Sequence, residues 1–106
     1  MRRIAIISYP RVIFSLDNVS DREKLLAIEH NPYVFSEFKE TSEDVDIFAV
    51  RSYIFNIGYI KNYTVPVLNT AFARIEEYNR EATINYKYLI DETKLPEEFR
   101  LRWEML

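Results

Sequence analysis

The side chains that carry most enzymatic chemistry are sparse in this chain. His30 is its only histidine, and cysteine is absent. A zinc site would have to pair one imidazole with carboxylates, and no thiolate or disulfide is available. His30 precedes Asn31 and Pro32, where a helix should end, and a helix C-terminus favours an imidazolium without any catalytic role. Gly58 is the only glycine. Phosphate-cradling loops need several glycines so that backbone N–H groups can approach the anion. A G-x-S-x-G nucleophile turn needs two, so neither motif can be written here. Carboxylates remain: Asp44 and Asp46 would project to one side of an extended segment, an arrangement that suits magnesium.

Two short stretches resemble known families. Glu92-Thr93-Lys94 is an E-x-K triplet and resembles that of the PD-(D/E)xK nucleases, although Leu95-Pro96 follows at once where that family continues a strand. The resemblance implies a carboxylate-metal-dependent nuclease. "RSYIFNIGYIKNY", residues 51–63, holds Arg51, Lys61 and four aromatics without an acid. On a strand, Arg51, Tyr53 and Phe55 would share one face, and exposed rings there stack bases at about 1–3 kcal/mol each. Its first eight residues resemble the longer signature of RNA-recognition-motif domains, with Arg51, Tyr53 and Phe55 at the basic and two stacking positions. Ser52, Ile54, Asn56 and Gly58 depart from it, and Ala5 stands where that family's first strand offers an aromatic. The resemblance implies RNA or nucleotide binding through Arg51, Tyr53 and Phe55. A core strand with Tyr53 and Phe55 under a helix is the reading placed ahead of it.

Charge is unevenly spread. The net charge is −3, yet residues 1–15 hold Arg2, Arg3 and Arg11 with no acid. Residues 36–46 hold Glu37, Glu40, Glu43, Asp44 and Asp46 against Lys39. Such a block suits a basic site on a partner. At the other end, Leu95, Phe99, Trp103 and Leu106 align on one stripe of a C-terminal helix, leaving Leu101 and Met105 on the opposite side. Trp and Met are enriched at interfaces. By elimination, the favoured function is a non-enzymatic protein-binding regulator or inhibitor, of the kind seen in immunity proteins and phage antagonists. Its partner-binding residues would be Glu40, Glu43, Asp44, Asp46, Leu101, Trp103 and Met105. No cofactor is expected. The expected partner is another protein, a nucleic-acid-processing one among the candidates, with self-association into a homodimer as well. The longest apolar runs are too short to span a bilayer, and "MRR" lacks a following apolar region, so the expectation is a cytoplasmic protein.

These residues need elements to position them. At 106 residues the chain reads as one domain with one core, and no internal repeat is apparent. Doubly apolar "RRIAIISY" (2–9) reads as a central strand, and "YVFSEFKE" (33–40) as an edge strand. "VDIFAVRSYIF" (45–55) is contested. Thr41 or Ser42 followed by acids looks like a helix start, but five β-branched residues between Val45 and Ile57 favour a strand. "TINYKYLI" (83–90) alternates like a strand. Ser20 with Glu23 forms a capping box for a helix ending at Asn31-Pro32. "NTAFARIEEYNRE" (69–81) is the best amphipathic helix, with Asn69 as its N-cap and a Glu76–Arg80 pair. Residues 95–106 close with a helix that has Pro96 near its first turn. The order predicts an α+β, ferredoxin-like βαββαβ antiparallel sheet with an additional C-terminal helix.

Overall fold

The computed structural model describes residues 1–106 and contains no strand; 71% of the chain is helical. The ferredoxin-like sheet is absent, and the α+β expectation is overturned. Five α-helices are present: α1 Arg2–Ser8, α2 Asp21–His30, α3 Glu43–Ser52, α4 Val65–Asn79 and α5 Glu97–Glu104. Between them lie 3-10 helices: η1 Pro10–Ser15, η2 Pro32–Glu37, η3 Ile54–Tyr59, η4 Tyr86–Leu89 and η5 Glu92–Lys94. None of these helices is long and apolar enough to cross a membrane.

The chain does repeat. α2, α3 and α4 begin at Asp21, Glu43 and Val65, and η1, η2 and η3 at Pro10, Pro32 and Ile54, each 22 residues after the last. The N-caps Ser20, Ser42 and Thr64 keep the same spacing, and each hydroxyl accepts from the backbone N–H three residues on. The corners after α1, α2 and α3 are Tyr9, Asn31 and Tyr53, with similar φ of −149°, −154° and −160°. Matching backbone built from different side chains marks one unit copied along the chain: α-helix, corner, 3-10 helix, capped corner.

The register also fixes the core. Ala5, Ala27, Ala49 and Ala71 occupy one position of the unit, and Ile6, Ile28, Val50 and Phe72 the next, the latter four all 0% exposed. Small residues at a helix contact let neighbouring axes approach to about 8–10 Å. α1 packs on α2, α2 on α3 and α3 on α4, while η2 packs on η3 and η3 on η4. This is a two-layer solenoid, α-helices along one side and 3-10 helices along the other. Its dimensions are 47 × 27 × 16 Å and its radius of gyration is 14.9 Å, against about 13 Å for a compact domain of this length. One continuous core of 21 buried hydrophobic residues runs through all the units.

Each expected strand fails for a physical reason. In α3 the Ser42 cap, the first-turn acids Glu43, Asp44 and Asp46 and the last-turn Arg51 complement the helix dipole. That local chemistry agrees with the stacked neighbours and outweighs β-propensity. α1 has no side-chain cap and is held by burial of Ile6 in register with the other units. In place of the edge strand at 33–40, residues up to Glu37 belong to η2, with the Asn31 carboxamide accepting from the Tyr33 N–H at 3.2 Å. Within residues 83–90, η4 takes Tyr86–Leu89 with Asn85 as its cap, and Ile84 and Tyr88 are exposed. The Ser20–Glu23 capping box forms as the sequence predicts. α4 begins earlier than expected, with Thr64 as its cap, and Glu76 pairs with Arg102 at 3.0 Å instead of with Arg80.

Candidate functional site

Along the corners where α-helices hand over to 3-10 helices, aromatic rings meet in sequence. Tyr33 lies 4.9 Å from Tyr53 between ring centroids, Tyr53 5.3 Å from Phe55, and Phe55 5.8 Å from Tyr86. Tyr86 then meets Tyr78 at 5.7 Å and Tyr88 at 6.2 Å. All five pairs are tilted or edge-to-face, and the ring quadrupole favours such arrangements over a face-to-face sandwich. The result is a continuous ridge of six rings drawn from three successive units. Tyr33 and Phe55 hold the same position in consecutive units, the second residue of η2 and η3. The ridge extends into η4 because Asn79 at the end of α4 accepts from the Tyr86 N–H at 2.9 Å.

Tyr33 and Tyr88 stand out from the ridge, each 60% exposed, while Tyr53, Phe55 and Tyr86 are half-buried between their neighbours. Burial, reinforced by the nearby phenols Tyr33, Tyr59 and Tyr78, pushes the Tyr53 hydroxyl above its ordinary value. The ridge presents phenol hydroxyls on an apolar body. Arg51, in the last turn of α3, is exposed beside it.

The opposite corners carry the acidic block, and the structure divides it. Glu40, Glu43 and Asp44 are exposed. Asp46 is only 3% exposed and accepts a hydrogen bond from the Thr41 hydroxyl, so as a partner contact it is corrected: its carboxylate ties a corner to α3. Burial raises its pKa, offset in part by the Thr41 bond and by the nearby Lys61. The acids are also interleaved with lysines. Lys24 donates to the Glu40 carbonyl at 3.0 Å, and Lys61 to the Phe38 and Lys39 carbonyls. A single acidic face does not form.

The metal reading loses its geometry too. On a helix Asp44 and Asp46 diverge, and no group of three or more His, Asp or Glu side chains is placed to hold an ion. Glu92 and Lys94 sit in η5 rather than on a strand; the Lys94 ammonium reaches the Ile60 carbonyl at 3.4 Å and lies 4.8 Å from the Tyr63 ring. His30 is exposed at the end of α2.

At the C-terminus the helix splits as its pattern predicts. Leu95 and Phe99 are buried and Trp103 and Leu106 half-buried, whereas Leu101 and Met105 are 67% and 78% exposed. Phe99 stacks on Phe72 at 5.7 Å. Arg102 donates to Asn69 and Glu76 of α4. Trp103, proposed as a contact, is committed to its own domain: its indole N–H donates to the Lys87 carbonyl at 3.2 Å, and the Lys87 ammonium lies 4.2 Å from its ring. α5 thus caps the solenoid.

Arg51, Tyr53 and Phe55 are neighbours here, but not as alternate residues of a strand: they are the helix end, the corner and a 3-10 residue. The sequence reading missed Tyr33, Tyr78, Tyr86 and Tyr88 as members of the site. The 22-residue spacing of Tyr33 and Phe55 was the signal that could have exposed the ridge. Comparisons with protein-family models, curated proteins and solved structures return no match.

Proposed function

We propose that this chain is a non-enzymatic protein-binding regulator or inhibitor of the cytoplasm that acts by stoichiometric contact, with the aromatic ridge as its contact surface. The observation that carries this reading is the ridge itself, six touching rings across three repeat units with Tyr33 and Tyr88 at 60% exposure. Tyrosines with an apolar body and a polar tip are the side chains that dominate binding energy at protein interfaces. A solenoid presents such residues as an extended, rigid array, so little ordering entropy is lost on binding. Glu40, Glu43 and Asp44, on the other edge, would contribute orientation more than affinity.

Nucleic-acid binding is the competing reading, and the ring geometry weighs against it. Base stacking needs open ring faces, yet Tyr53 and Phe55 are half-buried and each packs against two other rings. The net charge of −3 adds no general attraction for phosphate. Affinity capture from native lysate with the unaltered chain and with Tyr33→Ala/Tyr88→Ala, each with and without nuclease, separates the two. A protein retained after nuclease and lost with the double variant supports the proposal; recovery of nucleic acid alone overturns it.

A further inference from the structure

Five of the six ridge rings are tyrosines, and their hydroxyls bear on what the ridge can hold. Tyr63, which lies outside the ridge, commits its hydroxyl to the Asp91 N–H at 2.8 Å. The hydroxyls of Tyr78, Tyr86 and Tyr88 make no hydrogen bond within the chain; Tyr86 is held through its backbone N–H alone. Each is a donor on an apolar ring that takes its acceptor from water or from a ligand. The rings also leave notches rather than flat faces. From Tyr33 through Tyr53 and Phe55 to Tyr86, successive planes are inclined at 70°, 51° and 78°.

We infer that the ridge takes a proline-rich segment of its partner in the polyproline II conformation, an inference that rests on the ridge being the contact surface. The other common ways of gripping a peptide lack their parts here. Strand addition needs a sheet edge, and the chain has no strand. A docked helix needs an apolar groove; the cavity beside the ridge, about 390 Å³ between Tyr78 and Tyr86, is otherwise lined by Glu77, Arg80, Glu81 and Ala82. An acidic or phosphorylated motif needs clustered arginines, yet Arg74 is paired with Glu77 and lies over the Tyr78 ring. Polyproline II matches what is present. Its backbone makes no internal hydrogen bonds, so its carbonyls stay open to phenol donors. Proline brings no N–H for the ridge to satisfy. Puckered pyrrolidine rings fit the notches between inclined aromatic rings, where a flat base does not stack. The segment is ordered before it binds, so little entropy is lost on a rigid ridge.

The test is fluorescence anisotropy of a labelled decaproline peptide titrated with the full chain, with a glycine–serine peptide of equal length as the control. Decaproline should bind saturably and the control should not. Tyr33→Ala/Tyr88→Ala should weaken decaproline at least about tenfold. Tyr86→Phe/Tyr88→Phe, which keeps both rings and removes two hydroxyls, should weaken it about fivefold or more. Each variant is checked for native circular dichroism, and Tyr88→Ala or Tyr88→Phe alone is the substitute for a double variant that fails to fold. Decaproline that does not saturate overturns the inference, as does full affinity in either variant or equal binding of the control. The capture experiment keeps the two claims apart. A captured protein that needs Tyr33 and Tyr88, found while decaproline does not bind, leaves the ridge as the contact surface and removes only the proline-rich occupant.

Discussion

Ala49→Leu should destabilise the chain far more than the same exchange at Ala73. Ala49 is 0% exposed, in the register where consecutive α-helices meet, and leucine adds three carbons at this fully buried position. Overpacking of this kind costs about 1–3 kcal/mol. For a chain of this size each kcal/mol lowers the melting temperature by about 4–8 °C, so a fall of about 5–20 °C is expected. Ala73 lies on the exposed face of α4, and leucine there should stay within about 0.5 kcal/mol of the native chain. Ala5, in register with Ala49 but half-buried, should fall between. Thermal and urea unfolding followed by far-ultraviolet circular dichroism would rank the three. Equal effects at Ala49 and Ala73 would refute the claim that the alanine register sets helix spacing.

Asp46→Asn tests the buried carboxyl. Its pKa is raised in the folded chain, by burial above all. The stabilisation from its bound proton is therefore fully present below the ordinary aspartate range and is lost as pH rises through the raised value. The variant should match the native chain in acid and gain on it towards neutrality; a stability difference that does not change with pH would contradict this. Glu23 and Asp91 are shifted the other way, and comparing variant with native removes their contribution. Asn56 donates to the Pro32 carbonyl, across a unit boundary, and to the Ala49 carbonyl within its own unit, each at 3.1 Å. Asn56→Ala should cost about 2–3 kcal/mol from two lost hydrogen bonds and a cavity. Asn56→Val, the residue type found at positions 12 and 34, should cost about 1 kcal/mol or less, because the Ala49 carbonyl keeps the Tyr53 N–H at 3.1 Å; equal losses in urea unfolding would count against the register. Phe99→Ala should cost about 3–5 kcal/mol and shift Trp103 emission to the red as α5 loosens; unchanged emission would argue against α5 as a docked cap.

Some of this architecture was legible in the residues. Ser20 with Glu23 announced α2, the apolar arc of Leu68, Ala71, Phe72 and Ile75 announced α4, and the stripe through Leu95, Phe99 and Trp103 announced α5. The asparagines take work that glycine usually shares: Asn31 and Asn85 cap 3-10 helices, and Asn18 adopts a left-handed φ of 51°. The strands were misread where helices are too short to display a 3.6-residue period. α1 has seven residues and η2 has six, and their β-branched and aromatic side chains serve contacts between units rather than an amphipathic face. Alternation at Ile84, Tyr86 and Tyr88 reflected a 3-10 turn and its flanks, not a pleat. For the site, Tyr53 and Phe55 were singled out from one basic, aromatic stretch. Their ring neighbours come from residues 33, 78, 86 and 88, which only the stacking of units brings together.

The ridge is tested most directly by the affinity of the captured protein partner, measured by titration calorimetry for two variants. Tyr33→Ala/Tyr88→Ala should lose at least about 1 kcal/mol per ring, or about thirtyfold in Kd together, with folding intact. Glu40→Lys/Glu43→Lys/Asp44→Lys should change affinity far less. Native affinity in the tyrosine double variant, or a larger loss in the lysine triple variant, would contradict the ridge as the contact surface.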